Sequence, residues 1–180
     1  MNLDELISTW HYRTCRIQFA HYDAATYFER LNLFLGIPVI VLSTAVGTTI
    51  FATLTKSPST RTQIYVGLLS VVAAVLASLQ TFLRFSERAE KHRASGAKYA
   101  ALKTELEMVQ ALPRETSEMK EFLESFSARW GALHGESPTI PERIYARATS
   151  KVESIKGELE IGTAGRLRER VAPLKQTGEQ

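Results

Sequence analysis

Two apolar blocks without charge, residues 31–55 and 62–83, are the feature that most constrains how this chain folds. They contain 25 and 22 residues, and a transmembrane helix needs roughly 20 predominantly apolar residues to cross about 30 Å of hydrocarbon. A buried helix of a soluble bundle is usually shorter, about 11–12 residues, and has a polar face, which neither block has. We therefore predict two transmembrane helices rather than two helices of a soluble core.

The connection between the blocks, residues 56–61, is short and contains Pro58 among small polar residues. Such a connection predicts an external tight turn and an antiparallel hairpin with both termini on one side of the membrane. Three basic residues lie within 20 residues before the first block, two lie in the turn, and six lie within 20 residues after the second block. By the positive-inside rule, both termini are cytoplasmic.

The N-terminal segment bears on targeting, on the first helix and on the cellular compartment. Residues 1–30 carry scattered charges and lack the short apolar core and cleavage site of a signal peptide, so we expect the first span to serve as its own targeting signal. Their aromatic and apolar side chains recur at helical spacing, which predicts an amphipathic cytoplasmic helix. The single cysteine, Cys15, has no partner in the chain and suits a reducing compartment.

Gly36 and Pro38 interrupt the first apolar block. Proline removes a backbone donor and clashes with the preceding turn, so we predict a kink or a restart of the helix here. Transmembrane helices tolerate such kinks readily, and the same two residues are candidates for a gating hinge. The sequence leaves both interpretations open.

After the second block, apolar and small residues recur three or four apart from Phe85 to Val109. This spacing predicts a stalk helix, residues 84–112, that continues from the membrane without a break. Its stripe either contacts another subunit or packs within the chain against residues 119–133. We expect further cytoplasmic helices over residues 113–156 and a flexible tail over residues 157–180. The candidates for membrane-exit coupling or oligomer contact are Arg84, Glu87, Arg88, His92 and Tyr99.

The segment SERAEKHR has the residue types of a catalytic or metal site, but not the spacing. Glu87 and Glu90 share a helical face, whereas His92 lies about 140° from Glu87. The chain also lacks HExxH, a phosphate-binding glycine loop and a nucleophile turn. We therefore predict no enzyme, no catalytic or metal-ligating residues and no cofactor.

The basic residues after the second span have a simpler interpretation than a catalytic or metal site. Although the isoelectric point is near 9.1, these residues lie beside the membrane and alternate with Glu87 and Glu90. Each one near an anionic surface contributes about 1 kcal/mol of binding free energy. We predict lipid headgroups as their partners, with no direct nucleic-acid contact.

Within the blocks, small and hydroxylated residues share helical faces. Such residues allow helix backbones to approach in lipid and can add interhelical hydrogen bonds. In an oligomer the same faces could line a narrow, mildly polar pore, so helix packing and pore lining both stay open. The candidates are Ser43, Thr44, Gly47, Thr48, Ser70, Ala74, Ala77, Gln80 and Thr81.

The segments LNLFLGIPVIVLSTAVGT and LQTFLRFSERAEKHRASGAKYAALKTELE, with the short turn between them, give the chain a family likeness. Together with the aromatic N-terminal helix and SPTIP, they resemble the SLATT family over roughly residues 5–155. These are two-transmembrane effector domains associated with SMODS and SLOG domains in bacterial conflict systems. The likeness is most specific at Asn32 with residues 35–38, and at residues 86–99.

The resemblance implies an all-α inner-membrane protein in which an antiparallel transmembrane hairpin joins a cytoplasmic helical stalk and bundle. It also implies a homo-oligomer that forms a pore or disrupts the membrane during anti-phage defence or abortive infection. An operon-encoded sensor or a nucleotide-signal synthetase would supply the trigger. The rival hypothesis is a membrane-anchored scaffold whose cytoplasmic helices recruit a soluble partner.

Overall fold

The computed structural model describes residues 3–53, 59–111 and 116–171, and every regular element in these ranges is an α-helix. The helices are α1 (Leu3–Thr53), α2 (Thr60–Leu83), α3 (Phe85–Ala111), α4 (Thr116–Glu136) and α5 (Glu142–Val171). Their contacts divide the chain into two compact units. We call Ala24–Ala94 the apolar unit, and we call Met1–Asp23 with Ser95–Gln180 the bundle unit.

Helix α1 is one element of 51 residues that includes Pro38. The predicted restart of the helix at Gly36 and Pro38 is therefore wrong, and no helix boundary separates residues 1–30 from the first apolar block. A proline deprives the backbone of a single amide donor, and the helical residues on both sides keep their other bonds. Whether Gly36 and Pro38 act as a hinge stays a prediction.

Helix α2 begins at a capped end and stops at an unusual residue. The Ser59 hydroxyl accepts a hydrogen bond from the Thr62 amide at 3.4 Å. Residues 54–55 of the predicted first span and 56–58 of the predicted turn lie outside the described ranges. At the other end, Arg84 has φ 47° and ψ 44°, in the left-handed region. Its amide donates to the Gln80 carbonyl at 3.3 Å, and its carbonyl accepts from the Arg88 amide at 3.1 Å.

The prediction that α2 continues into the stalk without a break is therefore wrong at one residue. A left-handed conformation costs about 1–2 kcal/mol for a residue with a Cβ. In the structure this break accompanies the packing of Phe85 and His92 on the ring of Phe28, at centroid distances of 6.1 and 5.4 Å. Gain of this aromatic contact offsets the backbone cost.

The bundle unit has a hydrophobic core to which α1, α3 and α4 contribute large side chains. Buried core members are Ile7, Ile17, Tyr99, Leu102, Leu106, Val109, Phe126 and Leu133. One face of α4 lies on this core, with Phe126 and Leu133 buried and Trp130 partly buried. Ala148 and Val152 of α5 are buried too.

The stripe on α3 is buried within the single chain, which agrees with the packing alternative rather than with a subunit contact. Leu102, Leu106 and Val109 belong to the core of the bundle unit. Tyr99 and His92 are 0% and 2% exposed. Their burial favours packing within the chain, and a part in an oligomer contact or in membrane-exit coupling stays a prediction.

Helix α5 is longer than the sequence pattern indicated. We expected the third cytoplasmic helix to end near residue 156, but the helical backbone continues to Val171. The glycines that suggested an earlier end cost a helix only about 1 kcal/mol each. Residues 172–180 of the predicted tail lie outside the described ranges.

Candidate functional site

The large apolar side chains of the apolar unit are exposed along most of α1 and α2. No residue is buried in the most apolar 18-residue stretch of α1, and 6% are buried in that of α2. Phe34, Phe51 and Phe82 are 75%, 74% and 82% exposed. Both helices are long and apolar enough to cross a membrane, and neither has the buried environment of a soluble core helix.

Less exposed positions on both helices recur three or four residues apart. On α1 they include Asn32, Gly36, Val39, Leu42, Val46 and Thr49, and on α2 they include Thr62, Val66, Ser70, Ala73, Ala77 and Gln80. A spacing that averages about 3.5 residues places side chains on one face of a helix. Each helix therefore turns one face toward protein and exposes the remainder.

Gln80 joins these two faces through a polar contact. Its amide Nε2 donates to Asn32 Oδ1 at 3.5 Å, and a Cβ on Gly36 would lie 3.0 Å from the same nitrogen. The absent side chain of Gly36 therefore leaves the space that Gln80 occupies. Close approach of the two helices therefore explains why residue 36 is a glycine. Whether Gly36 also forms a hinge with the half-buried Pro38 is a separate question.

The predicted pore-lining or helix-packing residues divide into two groups. Ser70, Ala77 and Gln80 lie half-buried on the inner face of α2. Gly47 is half-buried as well, but a Cβ there would meet nothing within 4 Å. The exposed members are Ser43, Thr44, Thr48, Ala74 and Thr81.

Several hydroxyl groups in these helices donate to the backbone of their own helix. The Thr44, Thr48 and Ser70 hydroxyls donate to the carbonyls four residues earlier at 2.8 Å, and Thr81 does so at 3.0 Å. Hydroxyls bonded in this way are satisfied without water or another helix. Their presence alone therefore does not require a water-filled lumen.

An aromatic cluster lies just beyond the apolar stretches, with Phe28 of α1 at its centre. The Phe85 and His92 rings stack on Phe28, and the Arg88 guanidinium lies over the same ring, 6.0 Å from its centroid. Burial lowers the pKa of His92, because the charged imidazolium loses solvation there. His92 is therefore a packing residue whose protonation disfavours the folded cluster.

Charged residues surround this cluster on its exposed side. Glu87 pairs with Lys91 at 2.8 Å and with Arg84 at 3.3 Å, at helical spacings of four and three residues. The hydrogen bond from Lys91, followed by the weaker effect of Arg84, lowers the pKa of the exposed Glu87 carboxyl. Glu87 and Glu90 are exposed while His92 is buried, so the three do not form a common site.

The structure adds residues that the sequence analysis did not select. Arg93 of α3 donates to Glu29 of α1 at 2.7 Å, and this bond raises the pKa of Arg93. The other two α1 residues are Phe28, which stacks with Phe85 and His92, and Asn32, which contacts Gln80. The available signal was position: all three α1 residues lie near the start of the first apolar block, level with the basic segment that follows the second block.

No protein-family model, curated protein or solved structure matches the chain in the three comparisons.

Proposed function

We propose that the protein is a homo-oligomeric two-transmembrane effector that forms a pore, or disrupts the inner membrane, in a bacterial anti-phage system. The observation that carries the membrane part is the exposure of large apolar side chains along α1 and α2. Exposed to water, such a surface would far exceed the apolar patches of ordinary soluble proteins. A hydrocarbon environment removes this cost.

The proposed arrangement in the bilayer is an antiparallel hairpin with both termini cytoplasmic. In its support, contacts run in opposite order along the two arms: Glu29 meets Arg93, whereas Asn32, later on α1, meets the earlier Gln80. The excess of basic residues outside the turn supports the orientation. Exposed Arg84, Arg88 and Lys91 would then contact anionic headgroups.

The pore itself requires several copies, because one pair of helices encloses no lumen. Exposed Ser43, Thr44 and Thr48 give α1 a mildly polar face, and exposed Ala74 and Thr81 give α2 a face of small side chains. Small residues at exposed positions favour close contact between helices of different copies in lipid. A separate sensor or a nucleotide signal, as the SLATT resemblance implies, would control the assembly.

Conductance of the purified full-length protein in anionic liposomes tests this proposal. The expected result is ion leakage from an oligomer, with or without the product of a neighbouring gene. Gly47→Leu should abolish leakage, because the glycine has free space in the single chain and would matter only to a second copy. Leu68→Met, at an exposed position already occupied by a large side chain, is the matched control.

Two results would contradict the proposal: a stable oligomer that never conducts, even with its activated neighbour present, or leakage that Gly47→Leu leaves unchanged. Insertion of both variants is checked by resistance to alkaline extraction. If Gly47→Leu is extracted, it is replaced by Ala74→Leu, which enlarges a small exposed side chain on α2.

A membrane-anchored scaffold is the second candidate. The hydroxyls that donate to their own helix favour it, since these groups need no lumen water. If the cytoplasmic helices only recruit a soluble partner, an unrelated transmembrane hairpin should replace residues 31–83 without loss of cellular function. Loss of function in that chimera, with expression and membrane insertion retained, would favour the pore.

A further inference from the structure

A cavity of about 320 Å³ lies within the bundle unit, beside the connection between α4 and α5. Its walls include Ile17 and His21 of α1, His134 at the end of α4, and Thr139, Ile140 and Tyr145. This volume is at the lower end of the range for small-molecule sites, about 300–1,000 Å³. The cavity therefore has room for a compact ring compound but not for a large cofactor.

The connection that forms one wall, residues 137–141, is held in place from both sides. Pro138 and Pro141 fix two backbone φ angles. The Ser137 amide and hydroxyl both donate to the Leu133 carbonyl, at 3.0 and 2.7 Å. The Pro141 carbonyl accepts from the Tyr145 amide at 3.1 Å. These local contacts hold both ends of the wall in place without a ligand.

The two imidazoles in the wall are fixed by aromatic stacking. His21 is 1% exposed and stacks on the fully buried Tyr99 at 5.5 Å. The Tyr99 hydroxyl lies 3.5 Å from His134 Nδ1, and the Trp130 ring stacks on His134 at 5.3 Å with only 3° between the planes. The cavity wall thus includes two imidazole rings that are each stacked on an aromatic side chain.

The electrostatic character of the wall points to an uncharged ligand. Its lining residues in the described part of the chain include hydroxyls, imidazoles and apolar groups, but no carboxylate, ammonium or guanidinium group. The nearby Arg16 guanidinium lies over the Tyr145 ring, 5.0 Å from its centroid, and is not part of the lining. An ion entering such a site would lose solvation without a permanent opposite charge to compensate.

We propose that this cavity is a binding site for an uncharged, planar ring molecule, of one or two fused rings, that carries hydrogen-bond donors and acceptors. Its faces would contact Ile17 and Ile140, and its edge would bond to His134 and the Thr139 hydroxyl. The proposal concerns the bundle unit alone and goes beyond the proposed membrane activity. Either can fail while the other holds.

Fluorescence of Trp130 gives a direct test, because its ring contacts His134 at the edge of the cavity. The full-length protein in detergent, carrying Trp10→Phe to remove the other tryptophan, is titrated with 2-quinolone, indazole and benzimidazolone. Each probe is paired with its carboxylated derivative. We expect a saturable change with at least one neutral probe, and at least tenfold weaker binding of its carboxylate.

Two substitutions locate the site. Thr139→Phe fills the cavity from an exposed position, and His134→Phe keeps a ring against Trp130 while it removes the imidazole nitrogens; each should weaken binding tenfold or more. Met108→Phe, on an exposed part of α3, should leave it unchanged. The proposal is overturned if no neutral probe saturates, if the carboxylates bind as tightly, or if both cavity variants, folded by circular dichroism, bind normally.

Discussion

Arg84 shows how one residue can end a helix that its neighbours would continue. The segment TFLRFSER contains no glycine, proline or asparagine, and arginine is a good helix former, so local propensity favours one continuous helix. The observed left-handed conformation at Arg84 instead depends on contacts that Phe85 and His92 make with a distant part of the chain. The break is thus a tertiary effect at a single residue.

Substitutions at Arg84 should reveal this conformation in solution. Glycine adopts the left-handed region without a Cβ penalty, although it loses more backbone entropy on folding. We therefore expect Arg84→Gly to be more stable than Arg84→Ala by about 0.5–1 kcal/mol, measured by thermal unfolding in detergent. The alanine variant matches the glycine variant in its loss of the Glu87 pair. Greater stability of Arg84→Ala would mean that residue 84 is right-handed helical.

His92 should make stability depend on pH. Its pKa is lowered by burial, so the unfolded chain takes up a proton below about pH 6.5 while the folded chain resists it. The free energy of unfolding therefore rises with pH through this interval and falls as the pH drops below it. His92→Phe keeps a ring against Phe28. Between pH 7.5 and pH 5.5, its Tm should fall by less than the wild-type Tm.

The control for this measurement is Met108→Phe, which adds a ring at an exposed position without an ionisable group. Its Tm should follow the wild-type pH dependence. Equal pH dependence of the wild type and His92→Phe would show that protonation of His92 is not opposed by the fold.

At the scale of whole helices, α1 and α2 approach closely where a glycine faces a glutamine. Replacing Gly36 by leucine would place a side chain where Gln80 Nε2 now lies. Overpacking of this kind costs about 1–3 kcal/mol, so Gly36→Leu should lower the Tm in detergent. Gly47→Leu, on the same helix with free space around the Cβ, should not. Equal loss in both variants would contradict the observed register of the two helices.

Much of this helical structure follows from the sequence, and the predictions that failed share a common cause. The gaps in charge locate two long apolar helices, because uncharged blocks of this length leave few alternatives. Periodicity identified the stripe on α3, but a period gives the buried face and not the partner that covers it. The contact of Gln80 with Asn32 and the break at Arg84 depend on packing between segments distant in sequence, which no local pattern encodes.

For the whole molecule, the two units have opposite relations to their surroundings. The bundle unit buries Leu106 completely, as a soluble domain does, while the apolar unit exposes comparable side chains such as Leu68. Burial therefore separates residues that stabilise a packed core from those whose side chains face the surroundings of the protein. Composition alone averages these two classes, which is why the mean hydropathy of −0.10 resembles that of an ordinary soluble protein.

Paired leucine substitutions should separate these classes. Leu106→Ala removes a fully buried side chain and should reduce the free energy of unfolding by about 2–5 kcal/mol. Leu68→Ala, at 61% exposure, should change it by about 0.5 kcal/mol or less. Both are measured by thermal unfolding in detergent with near-UV circular dichroism. A larger effect of Leu68→Ala would mean that another chain covers α2 under these conditions.

The left-handed residue at position 84 also sets a phase difference between two helices that are adjacent in sequence. Angles counted at 100° per residue along α2 do not carry over into α3, since one residue of opposite handedness intervenes. Substitution data collected across residues 70–94 would therefore show two periodic patterns with a phase jump between them, rather than one continuous wave. Any assignment of lipid-facing and protein-facing positions must restart its count at Phe85.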